Sequence, residues 1–168
     1  MPWSVALAGL MGAGKSTVGP LLAARLGVDF VDLDQRIESE AGCSVAQIFA
    51  AEGEQGFRRR ESAALDRVLS GGGPLVLALG GGTAHQPGAA ARIQAVLPIA
   101  VLWAPLAELQ RRTEGGESRP LSGRLEQLAR SRAAELERLG PRFGTLGVAP
   151  ETVAAAIHRW LEARHERS

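Results

Sequence analysis

At 168 residues with 45% apolar side chains, the chain can bury one sizeable core, and it contains no linker long enough to divide it into separate domains. A formal net charge of +1 without a long block of like charges argues against nucleic acid or an anionic membrane as partner, and no apolar run approaches the ~20 residues of a membrane span. The opening MPWSVALAGL lacks a basic stretch and leads straight into a glycine-rich loop, so no signal peptide and a cytoplasmic location are expected; the single cysteine, Cys43, agrees with a reducing compartment.

In chain order, the first expected strand is SVALAG (4–9). It runs into GLMGAGKST, which fits G-x-x-x-x-G-K-[ST] at Gly9, Gly14, Lys15 and Ser16 in the strand–loop–helix setting that the motif requires. Backbone amides along Gly12, Ala13, Gly14, Lys15, Ser16 and Thr17, with the helix N-terminus behind them, suit donor phosphates. Lys15 would neutralise the β and γ phosphates, and Ser16 would ligate Mg²⁺. Nineteen Lys and Arg residues include one lysine, and it stands in this loop, where a compact ammonium is not replaceable by a wide guanidinium.

A helix is expected over Lys15–Leu26, with Val18, Leu21, Leu22 and Leu26 on one face. The next strand, DFVDL (29–33), brings Asp32 and Asp34 to its end, and alternation would place both carboxylates on one side. One of the pair can help hold hydrated Mg²⁺ while the other orients an acceptor hydroxyl; Asp34 can also cap a helix starting at Gln35. In IFAAEGEQGFRRRE, Phe49 and Phe57 can wall a pocket and Arg58 can face an anion, ahead of a helical pattern over Gln55–Leu69. The triplet Gly71–Gly73 reads as a loop, whereas Gly80, Gly81 and Gly82 follow the strand PLVLAL (74–79), at the edge where parallel sheets bind ligands.

After the strand IAVLW (99–103), the polar stretch RRTEGGESRPLSG (111–123) reads as a lid that excludes water from a kinase reaction, with Arg119 placed to reach transferring phosphates. Helices over Arg124–Leu139 and Pro150–His165 flank a weaker strand, FGTLGV (143–148). Alternating strands and helices imply a parallel sheet covered on both faces. A GTP-hydrolysing switch is excluded, because its Asn-Lys-x-Asp guanine-reading segment cannot exist in a chain without asparagine. Trp3 and Trp160 read as partly buried packing residues.

Taken together and in this order, GLMGAGKST, FVDLD, IFAAEGEQGFRRRE, LALGGGT and RPL resemble the shikimate kinase family, within the nucleoside-monophosphate-kinase-like group of P-loop folds. The resemblance covers nearly the whole chain. It implies a three-layer α/β fold with a five-stranded parallel sheet, one kinase domain over 1–168, a substrate region about 33–61 and the lid about 111–123. It implies transfer of the ATP γ-phosphoryl group to the 3-hydroxyl of shikimate, on the route to chorismate and aromatic amino acids, by a monomer. By position, Asp34 would bind the shikimate hydroxyls as base or orienting group, Asp32 would act with Ser16 around Mg²⁺, and Arg58 would pair with the carboxylate. Gly80–Gly82 would line the ring, Arg119 would contact phosphate, and Arg111 or Arg112 would flank the adenine opposite Pro150. The segment after RPL is shorter than the family's usual one. Arg132, with Leu136 where the family has tyrosine, fits best as the second carboxylate contact, and Arg130 is the alternative. A gluconate-type or nucleoside-monophosphate-type kinase keeps the fold and changes the acceptor.

Overall fold

The structure, a computed structural model, describes residues 3–113 and 123–167. Five parallel strands, β1 (Val5–Ala8), β2 (Asp29–Asp32), β3 (Leu75–Ala78), β4 (Ile99–Trp103) and β5 (Arg142–Gly144), lie in the order β2-β3-β1-β4-β5. Registers such as Val5 beside Val76 and Leu7 beside Ala100 fix the central three strands. The side-chain period of two divides the core in half. Ala6, Ala8, Leu77, Ile99 and Val101 face one buried cluster, and Val5, Leu7, Val76, Ala100 and Leu102 face the other.

Helices α1 (Lys15–Leu26) and α7 (Pro150–His165) cover the second face through Val18, Leu22, Val153, Ile157 and Leu161. The opposite face is covered by α2 (Leu33–Ala41), α3 (Val45–Ser70), α4 (Ala89–Gln94) and α6 (Gly123–Glu137), through residues such as Ile37, Leu65, Ile93 and Leu136. Helix α5 (Leu106–Thr113) packs Leu109 beside the phosphate loop. Strand order reverses at β1, so ligands belong beyond the carboxyl ends of β1 and β3.

Several expected elements shift. The helix expected from Gln35 begins at Leu33 and is capped by Asp32, whose Oδ1 accepts from the amides of Asp34 and Gln35 at 3.0 and 3.2 Å, so Asp34 is not the cap. Asp32 and Asp34 therefore meet across a strand–helix junction and not by alternation along one strand. Helix α3 starts ten residues before the expected Gln55, at a Ser44–Gln47 capping box, and breaks at Gly53 (φ 67°), where only glycine is unstrained. Strand β2 is not buried on both faces as its apolar character suggested; it is the half-exposed sheet edge. Residues 111–113, assigned to the lid, form the last turn of α5, Gly123 opens α6, and residues 114–122, with Arg119, lie outside the described residues. Strand β5 spans three residues against the expected six, and α6 runs Gly123–Glu137. Trp3 and Trp160 are half-buried, packed against His158 and Phe143. Among the described residues no helix is long and apolar enough to cross a membrane.

Candidate active site

Two adjoining cavities open at the carboxyl edge of the sheet, of about 490 Å³ and 410 Å³, and both are lined by Met11, Asp34 and Gly81. The first is built on the phosphate loop. Gly14 enters α1 at φ 103° and Gly12 sits at φ 82°, conformations that turn the loop back over the helix N-terminus. A Cβ on Gly9 would lie 2.8 Å from the Leu102 carbonyl oxygen, so β4 also demands glycine there. Gly12, Gly14, Lys15, Ser16 and Thr17 all line this cavity. Ala13 does not; it is fully buried and its amide donates to the Leu10 carbonyl at 3.1 Å, which shapes the loop from within.

Lys15 folds back so that Nζ donates to the carbonyls of Gly9 (2.6 Å) and Leu10 (3.1 Å). Desolvation by burial lowers its pKa to about 8, against the raising pull of Asp34 and Asp32. Ser16 Oγ donates to Asp32 Oδ2 at 2.8 Å, so a hydroxyl and a carboxylate already converge at the loop. At the far end of the cavity stand Pro150, Val148 and Arg112. Arg112 is held by Glu108 Oε1 (2.8 Å), the Gly12 carbonyl (3.1 Å) and both oxygens of Thr145. Arg111 also pairs with Glu108 but is exposed, and of the two arginines it is Arg112 that lines this cavity.

The second cavity takes its walls from α3, α6 and the Gly80–Gly82 loop. Phe49 and Phe57 stack at 4.6 Å between ring centroids and form its apolar side. Arg58 and Arg132 both line it, whereas Arg130 pairs with Glu126 and lines a separate cavity between α6 and α5. Arg58 Nη1 donates to Glu61 Oε2 at 2.8 Å, and the other oxygen of Glu61 accepts from Thr83 Oγ1 at 2.6 Å. Glu61 and Thr83 are each 1% exposed, so the guanidinium is pinned by a buried, hydrogen-bonded carboxylate. Arg58 Nε is buried without a hydrogen bond among the described residues, with the exposed Glu54 Oε1 3.8 Å away, and is a donor suited to an anionic ligand. Sequence reasoning assigned Glu61 and Thr83 no role. The i, i+3 spacing of Arg58 and Glu61 on one helix was the available signal.

Two of the three glycines are crowded by the site's own side chains. A Cβ on Gly82 would fall 2.6 Å from Arg58 Nη2, and one on Gly80 would fall 2.8 Å from Asp34 Oδ1. Gly82→Ala therefore displaces the Arg58 guanidinium and is expected to raise the KM for the acceptor about tenfold while leaving the KM for nucleotide unchanged, as steady-state titration of each substrate would show. Asp34 sits where the cavities meet. Burial raises its carboxyl pKa above the ordinary value, Asp32 and Glu61 push the same way, and Lys15 opposes them.

A shikimate kinase family model matches residues 11–142. The shikimate kinase of Chlorobium chlorochromatii is 38% identical, over 96% of this chain and 88% of the relative. The shikimate kinase from Acinetobacter baumannii, solved in complex with shikimate, superposes with a TM-score of 0.84 at 31% identity, over 96% of this chain and 93% of that one. The Aquifex aeolicus shikimate kinase gives a TM-score of 0.86 at 27% identity, over 98% and 99% of the two chains. With phosphate loop, acidic pair and arginine-lined cavity in one arrangement, the chain belongs to the shikimate kinase family.

Proposed function

We propose that this chain transfers the γ-phosphoryl group of ATP to the 3-hydroxyl of shikimate, with ATP in the first cavity and shikimate in the second. The observation that carries this reading is that Asp34 lines both cavities, between Lys15 on one side and Arg58 on the other. Shikimate is a small polyhydroxylated carboxylic acid. Its carboxylate needs a charged fork, supplied by Arg58 and Arg132, and its hydroxyls need an acceptor, supplied by Asp34. Phosphoryl transfer asks the protein chiefly to position reactants and stabilise charge, so Asp34 has only to accept a hydrogen bond from the attacking hydroxyl.

Ser16 and Asp32 fit Mg²⁺, which keeps several waters and takes one or two protein oxygens beside the phosphates. Among the described residues no group of three or more His, Cys, Asp or Glu side chains stands ready to hold a metal alone, which agrees with such a shared, hydrated ion. Bound there, the ion would offset charge on the β and γ phosphates. Arg112 and Pro150 would sandwich the adenine. Arg119 lies outside the described residues, and its contact with phosphate rests on its place in RPL.

Lys15 gives the nucleotide site a pH dependence. Its ammonium, the phosphate-binding form, is lost in the free enzyme above about pH 8, so ATP affinity falls progressively from there upward. Calorimetric titration between pH 7 and 9.5 should show this fall, and Lys15→Met should bind weakly at every pH. The position of transfer is tested by NMR of the product. Phosphorus coupling to the proton on carbon 3 is expected, and coupling at another hydroxyl-bearing carbon would overturn the orientation of shikimate between Asp34 and Arg58.

A further inference from the structure

The short 3-10 turn Thr83–His85, which follows Gly82, is linked to Arg58 through Glu61 and to α6, the helix that carries Arg132, through Glu135. At its start, Thr83 Oγ1 holds Glu61, and Glu61 holds Arg58. At its end, His85 Nδ1 lies 2.7 Å from Glu135 Oε2. A carboxylate only accepts, so Nδ1 carries the proton of this bond. Glu135 stands three residues after Arg132 on α6, on the same helical face as the Leu128, Ala129 and Arg132 that line the cavity. Leu136, next in sequence, is buried in the core, so this turn of α6 is docked against the body of the protein.

The His85 imidazole is not placed as an ordinary surface partner. Its side chain is 8% exposed, and Nε2 is buried without a hydrogen-bond partner among the described residues, whereas Glu135 is 55% exposed. Burying a ring nitrogen unpaired is unfavourable, and a hydrogen bond to a half-exposed carboxylate contributes little net stability. The arrangement thus makes poor sense as a stabilising contact. It makes sense as a geometric one, because it ties the rotation of α6 to the turn that already fixes Arg58.

We infer that His85 and Glu135 are positioning residues that set Arg132 against Arg58, with the turn Thr83–His85 as the gauge between the two halves of the carboxylate fork. This rests on the reading of Arg132 as a shikimate contact. His85→Leu fills the same space and removes the unpaired nitrogen, so the melting temperature holds or rises. The shikimate KM of this variant should nevertheless increase about three- to tenfold, with kcat and the ATP KM within about twofold of wild type. His85→Asn, which keeps a nitrogen donor near the position of Nδ1, should restore the shikimate KM. In an Arg132→Met background, itself raised in shikimate KM, His85→Leu should add nothing further.

An unchanged shikimate KM in His85→Leu overturns the inference while a raised KM in Arg132→Met leaves the fork standing. Equal changes in both KM values and kcat, or a further rise in the Arg132→Met background, also overturn it, because the histidine would then act on the fold at large. If Arg132→Met itself leaves shikimate KM unchanged, the fork fails and the gauge fails with it.

Discussion

Asp34→Asn is expected to lower kcat by about 10²–10⁴-fold, the usual contribution of a positioned acid–base group, with ATP affinity unchanged or tighter. The substitution keeps the shape of the side chain and the fit beside Gly80, where its oxygen already occupies the space a Cβ would need. It removes the charge that would accept the hydrogen bond of the attacking hydroxyl. It also removes a negative charge that would repel the phosphates; because Asp34 supports the Lys15 ammonium, ATP affinity is compared at about pH 6.5–7, where Lys15 stays charged. The pH profile supplies an independent readout. Burial, Asp32 and Glu61 raise the pKa of Asp34, so wild-type activity should fall at acid pH from above the ordinary aspartate range, and the residual activity of Asp34→Asn should lack that limb. Asp32→Asn behaves differently: asparagine caps α2 about as well, so the melting temperature holds, while the lost carboxylate beside Ser16 alters the magnesium requirement.

Arg58→Met should raise the shikimate KM by about one to two decades, the equivalent of a lost charge-assisted hydrogen bond of ~1.5–3 kcal/mol. A second effect separates this residue from an ordinary surface arginine. Glu61, at 1% exposure, keeps only Thr83 when Arg58 is removed. An unpaired buried charge costs about 3–5 kcal/mol, so the melting temperature should fall. The double variant Arg58→Met with Glu61→Leu should recover the melting temperature and leave shikimate binding impaired. Thermal denaturation beside steady-state kinetics reads both effects.

The sequence made legible those regions of the molecule whose geometry is local. The phosphate loop could be read because glycine spacing, the lone lysine and the following helix are one continuous segment, and α1, β4 and α7 end where their patterns end. Asp32 and Asp34 were found for a reason that did not hold. Strand alternation suggested one face, while the chain turns into α2 at Leu33 and brings them together through a helix cap. What stayed hidden depends on long-range packing. Glu61 and Thr83 are far apart in sequence and meet only when α3 lies beside the glycine loop, and no periodicity marks a buried carboxylate. Arg111 and Arg112 are adjacent with similar surroundings in sequence, and Thr145 on the loop after β5 separates them only once the sheet is assembled. The same holds for Arg130 and Arg132, which about half a turn of α6 sends to different cavities. The small α4 and the early start of α3 were missed because their apolar residues do not make a clear helical stripe.

The most direct test of the central claim is ADP release by the purified protein with ATP and Mg²⁺, run with shikimate, gluconate, AMP or no acceptor. Strong stimulation by shikimate alone is the predicted result. Equal or greater stimulation by gluconate or AMP, or none by shikimate, would contradict the assignment of the arginine-lined cavity to shikimate.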